Sequence, residues 1–339
     1  MEKNVQIYGT LGPACSKQET LEQMFAAGLT GMRLNLSHTS LPESAELIEH
    51  FRQAAVNMGV IPQLLIDMQG PELRVGNLKK NIPLTEGEQV TLIPGEEGDG
   101  IPVPAVVLEN METGDEILLN DGKIALEVCR KTKTCGICHV VRGGRISSHK
   151  SIKIVGKQVE LPVLTTHDVE NLRLAKEYGV TGLMQPFVRS GSELSQVRRV
   201  LRENKAEQVQ IFAKIESRGA LERLDEIIGE ADVIIIARGD LGNDMELWEL
   251  PAVQKEIEAA CRKAGKPFVV VTQMLASMEE NPVPTRAEVS DIFNAVTDGA
   301  YGVMVTGESA VGKYPVEVIK YLANTARAAS SWIDKKTLF

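Results

Sequence analysis

Eight compact apolar runs, each stopping at a polar residue, constrain what this chain can fold into more than any other feature. They fall near residues 5–10, 30–37, 62–67, 181–187, 209–216, 232–238, 267–272 and 302–306, and helical stretches separate nearly all of them. Several are continuous rather than alternating, as in Val233-Ile-Ile-Ile-Ala237 and Phe268-Val-Val-Val271. That is the pattern of parallel strands buried on both faces. Between the first two runs, Ser16-Lys-Gln-Glu19 reads as a capping box, after which Leu21, Met24, Phe25 and Gly28 keep one helical face. Thr285-Arg-Ala-Glu288 reads as a second box before Val289, Ile292, Phe293 and Val296, and Pro315 is placed to open the last helix. Eight such units predict an α/β fold, a TIM (β/α)8 barrel.

Residues 75 to about 154 break the rhythm. Turn clusters at Pro94-Gly-Glu-Glu-Gly-Asp-Gly100, Asn120-Asp-Gly122 and Arg142-Gly-Gly-Arg145 separate short β-like runs such as Val103 to Leu108, with no helical face. The reading is an all-β domain inserted after the third strand, with the barrel made of 1–74 and 155–339 and the insert of 75–154. Without the insert, about 260 of the 339 residues remain, close to the roughly 250 typical of such barrels. The insertion point lies on the face where barrel active sites are built, so the insert reads as a lid.

Composition narrows the partners. Thirty-seven Lys plus Arg against 46 Asp plus Glu give a net charge of −9, a surface that does not attract nucleic acid or anionic membrane. No apolar run approaches the length of about 18 residues that spans a bilayer, and the N-terminus lacks a signal-peptide segment, so a cytoplasmic location is expected. The five cysteines, Cys15, Cys129, Cys135, Cys138 and Cys261, are an odd, scattered set that reads as reduced thiols.

Chemistry in such a barrel gathers at the carboxyl ends of the strands. Arg33, Asn35 and Ser37 alternate with Met32, Leu34 and Leu36, so the polar three project to one side. The third strand ends at Asp67, the fifth carries Lys214 and Glu216 on one face, and the sixth ends in Arg238-Gly-Asp240. The seventh ends at Thr272 and the eighth near Glu308. Buried unpaired, each charge would cost several kcal/mol, so the cluster implies mutual pairing or bound ions. Glu216 and Asp240, with Asp67 nearby, are hard oxygen ligands suited to Mg²⁺, and Arg33 and Lys214 can neutralise a phosphoryl group. A purely structural ion-pair network is the alternative.

These residues carry a specific resemblance. Met32-Arg-Leu-Asn-Leu-Ser-His38, Asp67-Met-Gln-Gly-Pro-Glu-Leu-Arg74, Ala213-Lys-Ile-Glu216, Ala237-Arg-Gly-Asp-Leu-Gly242, Thr272-Gln-Met-Leu275 and Pro284-Thr-Arg-Ala-Glu288 resemble the pyruvate kinase family, in order and with fitting spacing. Ser147-Ser-His-Lys150 and Asn120-Asp-Gly122 match its inserted domain. The resemblance implies phosphoryl transfer from phosphoenolpyruvate to ADP in glycolysis, dependent on Mg²⁺ (or Mn²⁺) and K⁺. It assigns Mg²⁺ to Glu216 and Asp240, and K⁺ to Asn35, Ser37, Asp67 and the main-chain carbonyl of Met68. Lys214 would stabilise the transferring group, Arg33 would contact the phosphate, the N–H groups of Gly239 and Asp240 would receive the carboxylate, and Thr272 would complete the substrate site. Asn35, His38, Arg74 and Lys150 would face the nucleotide. The resemblance does not set the assembly; a homodimer through barrel surfaces is the expectation.

The departures point elsewhere. The family motif Thr-Lys-Gly-Pro-Glu reads Met68-Gln69-Gly-Pro-Glu72 here, which removes a cation, while Glu72 resembles the K⁺-dependent subgroup. Met184-Gln-Pro-Phe187 replaces the common Phe-Ala-Ser-Phe, and Asp244 stands where Glu is usual. The chain ends just after its last barrel helix, so the family's C-terminal regulatory domain is expected to be absent. Gln69 and Gln185-Pro186 motivate a binding or regulatory paralogue without turnover as an alternative, and a lyase or aldolase acting on an enolpyruvate-like acid is a third. Lesser signals are a zinc site at Cys129, Cys135, Cys138 and His139, the haem-like Cys135-Gly-Ile-Cys138-His139 and the near P-loop Gly307-Glu-Ser-Ala-Val-Gly-Lys313. Trp248 and Trp332 read as packing anchors.

Overall fold

In a computed structural model, the described residues are 5–37, 39–120, 122–157, 159 and 161–337. His38 and Asp121 therefore lie outside the described residues. Internal contacts divide the chain into two compact units, Met1–Gly70 with Val163–Phe339, and Pro71–Pro162. The second is wider than 75–154 and takes in Arg74.

The first unit is a closed barrel of eight parallel strands: β1 (Gln6–Thr10), β2 (Gly31–Asn35), β3 (Gln63–Asp67), β4 (Gly182–Gln185), β5 (Gln210–Ile215), β6 (Val233–Ala237), β7 (Phe268–Val271) and β8 (Gly302–Met304). Every one lies within a run read from the sequence. Each is followed by a helix: α1 (Gln18–Ala27), α2 (Ala45–Met58), α3 (Thr166–Leu174), α4 (Gly191–Glu203), α5 (Leu224–Glu230), α6 (Leu250–Ala264), α7 (Arg286–Thr297) and α8 (Pro315–Thr337). Helix α7 starts on the anticipated box, in which Thr285 and Glu288 cap each other's backbone N–H. Closure comes where β1 pairs with β8 in the register Gln6↔Gly302 and with β2 at Thr10↔Arg33.

Tyr8, Leu65, Met184, Phe212, Ile235, Val269 and Met304 fill the barrel interior. Large rings fit there because neighbouring strands place glycine opposite them. A Cβ on Gly182 would sit 2.6 Å from Phe212 Cε2, and one on Gly302 would sit 2.9 Å from Tyr8 Cε2. With the lumen packed solid, polar side chains are left to the strand ends.

The second unit has a six-stranded sheet and a two-stranded one, in which Ile82–Leu84 pairs antiparallel with Gly144–Ile146. The all-β expectation needs one correction: Ala105–Asn110 is a helix. Pro104 lacks the N–H that would extend the strand, and Val107, Leu108 and Met111 turn into this unit's own core. No described helix is long and apolar enough to cross a membrane.

Two other local expectations fail. Ser16 does not cap α1, which begins at Gln18 with Lys17 as its cap. Pro13 starts a 3-10 turn over Pro13–Cys15 that leaves Ser16 with helical dihedrals, and its hydroxyl donates back to Pro13 O at 3.2 Å. Trp248 is no packing anchor, being 78% exposed, whereas Trp332 meets Phe293 edge-on at 5.8 Å.

Filling the lumen tests this packing. Gly182→Val should lose roughly 1–3 kcal/mol through overpacking against Phe212, read as a lower midpoint in urea melts followed by circular dichroism. An unchanged midpoint would contradict a lumen packed around that ring.

Candidate active site

Strands β2, β3 and β5 bring four charged side chains into one chain of alternating sign. Arg33 Nη2 and Nε reach Asp67 Oδ2 at 2.7 and 2.8 Å. Lys214 Nζ lies 3.4 Å from Asp67 Oδ1 and 2.8 Å from Glu216 Oε1. The carboxylates are 4% and 3% exposed and the cations 14%, so these are buried pairs whose desolvation is offset only by each other. Adjacent registers cause the meeting, since Arg33 stands two residues before Asn35, which pairs with Asp67.

The electrostatics follow from this order. Burial pushes the Asp67 carboxyl up, but Lys214 and Arg33 together pull it below its usual range. Burial lowers Lys214, and the surrounding carboxylates Asp67, Glu216 and Asp240 more than reverse that. Glu216 goes the other way: burial raises its carboxyl, Lys214 offsets part of the rise, and Asp240 adds to it. Its Oε2 accepts the N–H of Phe187 at 2.7 Å. Its Oε1 is buried with no hydrogen-bond partner, the nearby Nζ lying off hydrogen-bond geometry.

Asp240 is exposed on the short helix Arg238–Leu241 after β6, with Gly239 in the same turn. Thr272 follows β7 with φ +82°, and Gln273 has φ +55°. Gly239 admits Thr272 closely, because a Cβ there would meet Thr272 Cγ2 at 2.9 Å. At the end of β2, Asn35 Oδ1 accepts the N–H of Ser37 at 3.1 Å, and Leu36 donates to Asp67 O at 2.9 Å. The side chain of Met68 is buried in the core.

Arg74 and Lys150 belong to the second unit, where they are neighbours. Arg74 bridges to Ser151, donates from Nη1 to His149 O at 2.7 Å and ion-pairs with Glu72. The departures are placed as well. Gln69 accepts from Thr165 Oγ1 at 3.4 Å, and the N–H groups of Gln69 and Gly70 both donate to Asp168. Gln185 Nε2 donates to Val163 O at 3.1 Å, away from the lumen. Asp244 accepts the N–H of Arg218 at 2.7 Å.

Sequence reasoning missed Asp168 and Phe187. The Thr165-Thr-His-Asp168 spacing is a capping signature that marks Asp168 at the start of α3. Nothing local marks Phe187, whose φ of +53° is set by its surroundings. Among the described residues, no three His, Cys, Asp or Glu side chains converge as metal ligands. Cys129, Cys135, Cys138 and His139 are therefore not gathered into a zinc site, and Cys138 and His139 point to opposite faces of Gly136–Arg142.

A family model for "Pyruvate kinase, barrel domain" matches residues 2–319. The chain belongs to the pyruvate kinase family. A pyruvate kinase of Sporosarcina psychrophila is 35% identical over 343 residues, covering 99% of this chain and 58% of that protein. One from Geobacillus stearothermophilus is 36% identical over 346 residues, covering 100% of this chain and 59% of that protein. This chain thus spans under two thirds of the length of the pyruvate kinases it matches. The matched region holds all eight barrel strands and the second unit.

The alternating chain has a measurable pH signature. Asp67 is held ionised in the fold where the unfolded chain would take up a proton. Its contribution is therefore full above the ordinary carboxyl pKa of about 3.9 and is lost as pH falls through the lower folded value. Asp67→Asn should be less stable than the parent by roughly 3 kcal/mol at pH 7. Urea melts should show the gap closing below about pH 4.

Proposed function

We propose that this chain transfers the phosphoryl group of phosphoenolpyruvate to ADP, giving pyruvate and ATP, with Mg²⁺ (or Mn²⁺) and K⁺ as its ions. The observation that carries this reading is the pairing of two largely buried cations with two buried carboxylates at the strand ends. In the reaction the bond between the enol oxygen and phosphorus breaks, an ADP phosphate oxygen takes the phosphoryl group, and the enolate is protonated to pyruvate.

Each residue has a part in keeping with its chemistry. Arg33 supplies a planar fork for the phosphate, and Lys214 a point charge for the group in flight. The N–H groups of Gly239 and Asp240 suit the substrate carboxylate, with Thr272 beside them. The cationic Arg74 and Lys150, with Asn35, suit the nucleotide; His38 is assigned there by the resemblance alone.

The donor set fits a hard divalent ion. Glu216 and Asp240 would hold Mg²⁺, which commonly takes one or two carboxylates together with substrate phosphate and water. Bound there, it would neutralise phosphoryl oxygens. Asn35, Ser37, Asp67 and the Met68 carbonyl are an all-oxygen set for K⁺.

A coupled assay with phosphoenolpyruvate, ADP, Mg²⁺ and K⁺ tests the proposal, and folded protein yielding no pyruvate above background sinks it. Lys214→Met should lower kcat on the order of a hundredfold or more, and Glu216→Gln should remove the Mg²⁺ dependence. The neutral amide of Gln69 favours a second reading, binding without turnover. Tight phosphoenolpyruvate binding without activity, with turnover gained on Gln69→Lys, would select it.

A further inference from the structure

The turn after β7 is held in a conformation its residues do not favour. Thr272 and Gln273 sit consecutively in the left-handed region at φ +82° and +55°, and for a β-branched threonine such a dihedral persists only where its surroundings enforce it. One side chain reaches the turn's first carbonyl. Arg238 donates from Nη2 and Nε to Thr272 O at 2.7 and 3.3 Å, and Nη2 lies 2.9 Å from Met274 Sδ. Its Nη1 donates to both carboxylate oxygens of Asp291 on α7, at 2.9 and 2.7 Å. The guanidinium is thus aimed from one side and grips the turn on the other. The far end of the turn is fixed by Leu275, whose N–H donates to the buried Glu308 at 3.2 Å.

We infer that Arg238, aimed by Asp291, is a positioning residue that holds Thr272 in the left-handed conformation in which it meets the substrate. This rests on the assignment of Thr272 to the phosphoenolpyruvate site and adds two residues which that assignment does not use. Lysine cannot replace Arg238, because an ammonium has no planar fork to span Thr272 O and Asp291 together.

Arg238→Lys and Asp291→Asn test the inference in parallel, the second serving if the first does not fold. Each should raise the KM for phosphoenolpyruvate about tenfold and lower kcat, while the KM for ADP stays within about twofold. A merely destabilised chain would lose active fraction, and so kcat alone. Hydrogen exchange read by mass spectrometry should speed up at the Thr272–Leu275 amides and stay unchanged in β2. An unchanged phosphoenolpyruvate KM in both variants, or unchanged exchange in the turn, overturns the inference. If the parent chain transfers no phosphoryl group, the functional reading fails on its own. The inference is then tested by calorimetric titration with phosphoenolpyruvate and the same exchange measurement: weaker binding with faster exchange upholds it, and unchanged values overturn it.

Discussion

Strand β1 hydrogen-bonds to β2 on one side and to β8 on the other, and everything at the site depends on that closure. A closed parallel sheet has no free edge, so all eight strands run the same way and end on one rim. Residues as distant in the chain as Arg33, Asp67 and Lys214 then become neighbours. The rim is also the only place for them, because Tyr8, Phe212 and the aliphatic side chains beside them leave no room for charge in the lumen.

At the rim, the order of charges decides how stable the arrangement is. A cation at each end of Asp67 satisfies that carboxylate twice over, and its carboxyl is held low as a result. Glu216 shares Lys214 with Asp67 and faces Asp240 as well, so its negative charge is the least compensated of the buried set. A stability-optimised network would not leave that charge so placed. Local conflict of this kind marks positions shaped for something other than stability.

Part of the backbone strain falls in the same region. Of the six non-glycine residues at positive φ among the described residues, Phe187 after β4 and Thr272 with Gln273 after β7 lie at the rim, and Phe187 and Thr272 are tied into the charged framework. The N–H of Phe187 ends on Glu216, and the carbonyl of Thr272 ends on Arg238. Side chains and dihedrals at the rim therefore hold one another in place, while a packed barrel supplies the rigidity that makes this possible.

The barrel was legible in the amino-acid sequence because its strands are continuous apolar runs ended by polar residues, a one-dimensional pattern that survives without contacts. The helix box at Thr285 was legible for the same reason, being complete within four residues. Ser16 misled because Pro13, just upstream, drew it into a turn, and Val103 to Leu108 misled because Pro104 ended a strand that side-chain preference alone would continue. Motif spacing likewise named Arg33, Asp67, Lys214, Glu216 and Thr272 as a set. Tertiary structure alone decided who pairs with whom: that Asp67 stands between two cations, that Glu216 has to share Lys214 with it, that Arg238 turns to Thr272 O. Those outcomes depend on registers and crossings between segments 34 to 147 residues apart, and no local pattern encodes the distances that set the strength of a charge.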